Sequence, residues 1–214
     1  MKFHSKSTFC PLAFLGLLLV TATAFPTSEV LREDFTDDAN QNRPTHASSQ
    51  KIEDQISYIL KEILELRKRW LCGNDENCLN NEEAVSENKL NLPMMTLKDG
   101  CFQTGYNRDT CILKVTSGLL EFQIYLEYIH NTFQDNEKKN RIRDVQSNTK
   151  SLIQNLKQQV KNPDKIVFPS PTANATLLEK LQSQNNWQKT MTINIILRSL
   201  EDFLQFSLRA LRKP

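Results

Sequence analysis

The tightest constraint in this sequence is how little chain separates two long apolar stripes. Ile112, Val115, Leu119, Phe122, Leu126, Ile129 and Phe133 recur at alternating steps of three and four, the spacing that lines one face of an α-helix. Asp135 and Asn136 break the pattern, and a second stripe follows with Ile142, Val145, Leu152, Leu156 and Val160, stopped by Asn162-Pro163. A helix of about 22 residues is about 33 Å long, whereas a link of about five residues reaches about 17 Å. These two helices must therefore run antiparallel. Gly118 lies inside the first of them at a cost of about 1 kcal/mol relative to alanine, which calls for a neighbour that approaches closely there.

Two further stripes need the same kind of cover. Ile52, Ile56, Ile59, Leu60, Ile63, Leu66 and Trp70 predict a helix from Ser49. It closes on Arg67, Lys68 and Arg69, cations suited to a helix C-terminus, with Gly73 shortly beyond. Leu178 and Leu181, then Ile193, Leu197, Leu200, Leu204, Leu208 and Leu211, predict a last helix from near Asn174 to Arg212. No segment alternates as a strand does. Four amphipathic helices bury one face each most economically around one core.

About 37 residues connect the first helix to the second, with a short helix expected over Glu82 to Leu90, and about 12 connect the third to the fourth. Both links can cross the length of a bundle. Long, short, long is the connection order of the up-up-down-down arrangement. The expected fold is thus all-α, a four-helix up-up-down-down bundle over 49–214 with long crossover loops after the first and third helices.

Lys2 and Lys6, the apolar run from Pro11 to Val20 and Ala22-Thr23-Ala24 read as a secretory signal peptide over 1–24, too short to span a membrane. Residues 25–48 hold five acids, two Arg, Pro26 and Pro44 without an apolar period, and are expected to form a disordered leader. Secretion leaves four cysteines, Cys72, Cys78, Cys101 and Cys111. Three pairings exist; the two local ones, Cys72 with Cys78 and Cys101 with Cys111, close the shortest loops. The spacings lack the C-x2-C pairs of a zinc site. Asn174-Ala175-Thr176 is a glycan acceptor sequon after a Pro-rich stretch, and Asn174 could also cap the helix that follows.

Beyond residue 24 the 25 Lys plus Arg balance 25 Asp plus Glu, so the chain lacks the broad positive field that nucleic acid binding uses. Only His46 and His130 remain there, and no phosphate-binding, dinucleotide or hydrolase motif occurs. Enzymes and cofactor binders fall away on these grounds. An amphipathic lipid carrier is the rival class, but two pinned loops and a short turn do not suit a chain that must open.

Cys101, nine residues, Cys111, six residues, then Gly118-Leu119, Phe122 and Leu126 resemble the signature of the interleukin-6 and granulocyte colony-stimulating factor family. Glu87 to Pro93, Asp99 to Tyr106, Gly118 to Tyr128 and Ser207 to Arg212 carry the likeness across Ser49 to Arg212. The resemblance implies a secreted cytokine, monomeric when free, with no cofactor and no chemistry of its own. One surface would hold a ligand-specific alpha receptor. Two others would recruit a shared signal-transducing receptor glycoprotein, whose dimerisation activates the kinases it carries in immune and acute-phase signalling.

Carried over by motif, the alpha-receptor surface would comprise Phe102, Tyr106, Gln205, Arg209 and Arg212. Tyr58 and Glu62 would serve a second surface with parts of the third helix, and Val85, Asn88, Leu90 and Trp187 a third. Tyr106 replaces the usual phenylalanine, Phe206 occupies a small-residue position, and Glu62 stands where some relatives have a small residue. Trp187 lies among Asn185, Asn186 and Gln188, a setting that favours an exposed anchor over a core residue.

Overall fold

The computed structural model describes residues 43–72 and 90–212, with side chains from 49 onward in the first stretch and up to 69. The signal segment, the leader as far as 42, the pairing of Cys72 with Cys78, the expected short helix after Glu82, and Val85 and Asn88 lie outside the described residues. The described residues belong to one compact unit, Asn40–Pro214.

Helix α1 spans Arg43–Leu66 and continues as a π-helical segment, Arg67–Cys72. Its backbone starts at Arg43, six residues before the expected Ser49, so 43–48 are helical where the sequence predicts a disordered leader. Pro44 sits in the opening turn, where a missing N–H leaves no helical bond unmade. Helix α2 is Arg108–Thr132, capped by Asn107, whose side chain accepts from the Thr110 N–H at 3.0 Å. Helix α3, Asn136–Lys157, opens on Asp135, which accepts from the Lys138 N–H at 2.9 Å. Val160 packs just past its end.

The expected last helix is in fact two. Helix α4, Pro171–Gln182, ends at Ser183, and helix α5, Asn186–Leu211, begins after Asn185. Asn185 and Gln188 form a reciprocal capping box, each side chain accepting the other's backbone N–H. Between them Gln184 turns inward, and its carbonyl oxygen accepts from Thr192 on α5 at 3.0 Å and from Tyr128 on α2 at 3.5 Å. These side-chain bonds tie the break to α5 and α2, while the Ser183 and Gln184 N–H groups donate to the carbonyls of Glu179 and Leu181 at the end of α4.

Cross-helix contacts give the directions. Glu53 near the start of α1 meets Arg212 at the end of α5, while Arg67 at the end of α1 meets Asn194 and Glu201 nearer the start of α5. Gln55 meets Ser151 and Asn155 late in α3, and Glu62 meets Arg141 early in it. Helix α1 is antiparallel to both. Helix α2 is antiparallel to the same two, since Asp109 pairs with Lys161 after α3, and Tyr106 just before α2 reaches Ala210 late in α5. Helices α1 and α2 are therefore parallel to each other, and so are α3 and α5. This is the up-up-down-down bundle, with α4 carried in the last crossover.

The core is the shared interior of these faces, including Ile56, Ile59, Ile63, Leu119, Phe122, Leu126, Leu152, Leu156, Leu200 and Leu204. Burying each such side chain stabilises by roughly 1.5–3 kcal/mol. The buried hydroxyls of Thr116, Thr149 and Ser207 donate to the carbonyls of Ile112, Val145 and Phe203 within their own helices, so they occupy core positions without a desolvation penalty. The close neighbour that Gly118 calls for is Phe203. A Cβ at 118 would stand 2.5 Å from Cζ of that ring, which also packs 5.5 Å from the ring of Phe122.

Candidate functional site

Five residues expected at one surface gather at one end of the bundle, where α5 finishes beside the loop leading into α2. Cys101 and Cys111 are bonded, their Cα atoms 4.8 Å apart, and fasten that loop to the first turn of α2. Gly100 enters it with φ of 70°, a conformation side chains with a Cβ rarely adopt, and its carbonyl accepts from the Asn107 N–H at 2.8 Å. Phe102 is half-buried against the core. Its ring lies 6.0 Å from that of Phe206 on α5.

Tyr106 is also half-buried, and its hydroxyl donates to the Ala210 carbonyl at 3.1 Å. The loop is thus tied to α5 by an aromatic contact and a hydrogen bond, and anchoring is part of what both aromatic residues do. Gln205, Arg209 and Arg212 are exposed on α5. Gln205 donates to Glu201 at 3.3 Å, Arg212 pairs with Glu53 at 2.9 Å, and Arg209 lies over the face of Phe206, 4.6 Å from the ring centre. Phe206, 43% exposed, joins the two halves of the cluster. Its signals in the sequence are its place at a small-residue position of the family pattern and the Phe-to-Arg step of three residues, which puts both on one helix face.

Tyr58 and Glu62 lie on α1, one turn apart, and differ sharply. Tyr58 is 45% exposed and lines an open groove between α1 and α3 with Lys51, Asp54, Gln55 and Asn148. Glu62 is only 8% exposed, its carboxylate 3.0 Å from Arg141 of α3. Arg141 donates to that carboxylate, and the bond, with the Glu62 charge, holds its guanidinium above its usual basicity. Glu62 therefore joins α1 to α3 one turn beyond Tyr58, which is presented at the groove. Gln55 bridges the same helices, accepting from Asn155 at 2.6 Å and donating to Ser151 at 2.9 Å.

Trp187 stands at the opposite end of α5 from Arg209, about 33 Å away along the helix. It is 71% exposed, with no core role. Leu90 is half-buried and packs against the core. Asn174 sits in the first turn of α4, half-buried, and its N–H bonds the Ser170 carbonyl at 3.0 Å. The residue capping that helix is Ser170, so Asn174 has no capping role, and its sequon lies on a helix and not in a loop.

Sequence reasoning missed Arg67. It reads as a solvated cation at a helix end, yet its side chain is buried, paired with Glu201 and donating to Asn194 at 3.1 Å. This pair staples α1 to the middle of α5, with Asn194 on the Trp187 side of it and Glu201 on the Arg209 side. Among the described residues no group of His, Cys, Asp and Glu could hold a metal ion, and no helix is long and apolar enough to cross a membrane.

A four-helix up-up-down-down bundle with long crossovers and polar, separated surfaces is the architecture of a long-chain helical cytokine. The model of the Interleukin-6/G-CSF/MGF family matches residues 26–214, and the chain belongs to that family. It is 62% identical to interleukin-6 of Marmota monax over 213 residues and 53% identical to interleukin-6 of Rattus norvegicus, each alignment covering 100% of both chains. The solution structure of mouse IL-6 matches with a TM-score of 0.62 and 47% identity, covering 86% of this chain and 99% of that one. The protein is accordingly a cytokine and not an enzyme.

Proposed function

We propose that this chain is a secreted, monomeric ligand that binds a specific alpha receptor and then recruits a shared signal-transducing glycoprotein at two further surfaces. The signal peptide over 1–24 directs its export, a leader from 25 onward precedes the bundle, and Asn174 accepts a glycan. The alpha-receptor surface is the α5 end with the disulfide loop: Phe102, Tyr106, Gln205, Arg209 and Arg212. Tyr58 belongs to a second surface, with Glu62 acting from one turn away, and Trp187 anchors a third with Leu90, Val85 and Asn88.

The observation that carries this reading is the placement of aromatic and Arg chemistry at opposite ends of one rigid helix. Aromatic residues and Arg dominate interface energetics when a partner desolvates them. With Arg209 and Trp187 about 33 Å apart, two receptor chains can occupy the ligand without colliding, and a first bound receptor raises the effective concentration of the next. The ligand performs no bond chemistry. It sets the distance between two transducer chains, and their associated kinases activate each other.

Cells that carry only the shared transducer provide the test. The purified chain alone should give no transcription-factor phosphorylation, and the chain with soluble alpha receptor should give a strong signal. Equal signal without the alpha receptor, or none with it, would sink the two-receptor mechanism.

A further inference from the structure

The polar side chains at the C-terminal end of α5 are not equivalent. Arg212 is engaged within the bundle, its Nε donating to Glu53 of α1 at 2.9 Å. Gln205 is engaged one turn back with Glu201. Arg209 has no carboxylate partner among the described residues; what holds it is the Phe206 ring, 4.6 Å from its guanidinium carbon. Phe206 is in turn steadied by Phe102, the rings 6.0 Å apart and tilted by 51°. Phe102 is half-buried and adjoins Cys101 of the disulfide. A continuous line of contacts therefore runs from the cross-linked loop through two aromatic rings to one exposed cation.

A guanidinium lying on an aromatic face keeps its N–H donors in plane and directed outward, where a planar carboxylate can take two of them together. The ring also removes rotamer freedom before any partner arrives, which lowers the entropic cost of association. Building on the receptor-ligand reading above, we infer that Phe206 is a positioning residue. Its ring, braced by Phe102, presets Arg209 to pair with a carboxylate on the alpha receptor, while Arg212 serves the bundle through Glu53. The exposed part of the Phe206 ring then asks for an apolar contact beside that carboxylate, so the complementary patch is an acidic side chain flanked by an apolar one.

Two measurements on the full mature chain test this. In the free protein the ring shields the Arg209 side-chain protons, so NMR should show them upfield of ordinary arginine values, and Phe206→Leu should return them. Unshifted protons in the unmutated chain would overturn the inference whatever the receptor does. The second measurement is surface plasmon resonance on immobilised alpha-receptor ectodomain with Phe206→Leu, Arg209→Ala and the double variant, helicity being checked for each by circular dichroism.

Phe206→Leu should weaken binding by about three- to thirtyfold, Arg209→Ala by more, and the double variant should match Arg209→Ala alone. Full affinity in Phe206→Leu, or a Phe206→Leu loss that persists undiminished in the Arg209→Ala background, would show that the ring does not act through Arg209. Absence of binding by the unmutated chain would instead strike the receptor reading itself, and the receptor half of this inference with it.

Discussion

Helix α5 carries one proposed partner surface at each end, and the two are built on different plans. At its C-terminus the candidate contact residues are tied to one another: Phe102 to Phe206, Phe206 to Arg209, Tyr106 to the Ala210 carbonyl, and the loop to α2 by a disulfide. At its N-terminus Trp187 stands in solvent on a capped first turn. The support there lies deeper, in the Gln184 side chain, which accepts from Thr192 and Tyr128, and in the bond from Arg67 to Asn194. A surface whose own side chains are braced can present charge in a fixed direction. A lone aromatic on a rigid turn offers area and little direction, which fits a contact completed after a first partner is in place.

The largest effect on both ends together comes from the ion pair that fastens the middle of α5 to α1. Arg67→Met leaves Glu201 without its partner in a largely buried position, and losing one member of such a pair costs about 3–5 kcal/mol. Thermal unfolding should show that loss, and binding at both ends of α5 should weaken with it, since the pair lies between them. If the melting temperature is unchanged, the pair is not a staple.

The C-terminal end of α5 is addressed by replacing Cys101 and Cys111 together with serine. The closed loop is short, so the chain-entropy cost is about 3 kcal/mol or less. Alpha-receptor affinity should fall more than stability alone accounts for, because Phe102 loses its tether beside Phe206. Equal weakening of the alpha-receptor and transducer contacts would instead mean that the loop matters only for the fold.

A change at mid-bundle affects both ends alike and so serves as a reference. Gly118→Ala gains about 1 kcal/mol in helix propensity but drives a methyl group into the Phe203 ring, and overpacking of this kind costs about 1–3 kcal/mol. The second effect wins, for a net loss of about 1 kcal/mol in denaturant unfolding. A gain in stability would show that the ring can move aside.

What the sequence discloses here follows the range of the interactions. Helix α2 was legible almost to the residue, because its stripe is unbroken and Asn107 and Phe133 bound it locally. The start of α5 was not, since Leu178 and Leu181 show helical spacing before the break as Leu197 and Leu200 do after it. The local signal that corrects it, Asn185 with Gln188, was present but was outweighed by the longer apolar pattern. Glu62 and Arg67 were beyond reach for another reason. Their burial depends on Arg141 and Glu201, 79 and 134 residues away, and no spacing rule connects such positions. The same holds for the ring of Phe206 against Phe102. The cluster was legible as a set of residue types, but its internal bracing is a property of the packed bundle.

The smallest effect comes from Glu121, on α2 between the two ends. Burial is the larger influence on its carboxyl and raises its pKa above 4.5, with Lys114 opposing. Tyr125, one turn on, is pushed up to about 12, first by its own burial and then by the negative charge of Glu121. A raised carboxyl pKa means that the folded state prefers the protonated form, so Glu121 favours folding at low pH and that contribution is lost as pH rises through its folded value. Glu121→Gln should therefore raise stability near neutral pH, by less than about 1 kcal/mol given the partial exposure of the side chain. The gain should shrink as pH falls towards 4.5 and vanish below it. Spectrophotometric titration should also find Tyr125 ionising at lower pH in the variant, with alpha-receptor and transducer binding unaltered. A gain that is the same at pH 3 and pH 7 would assign the effect to packing and leave the carboxylate out of it.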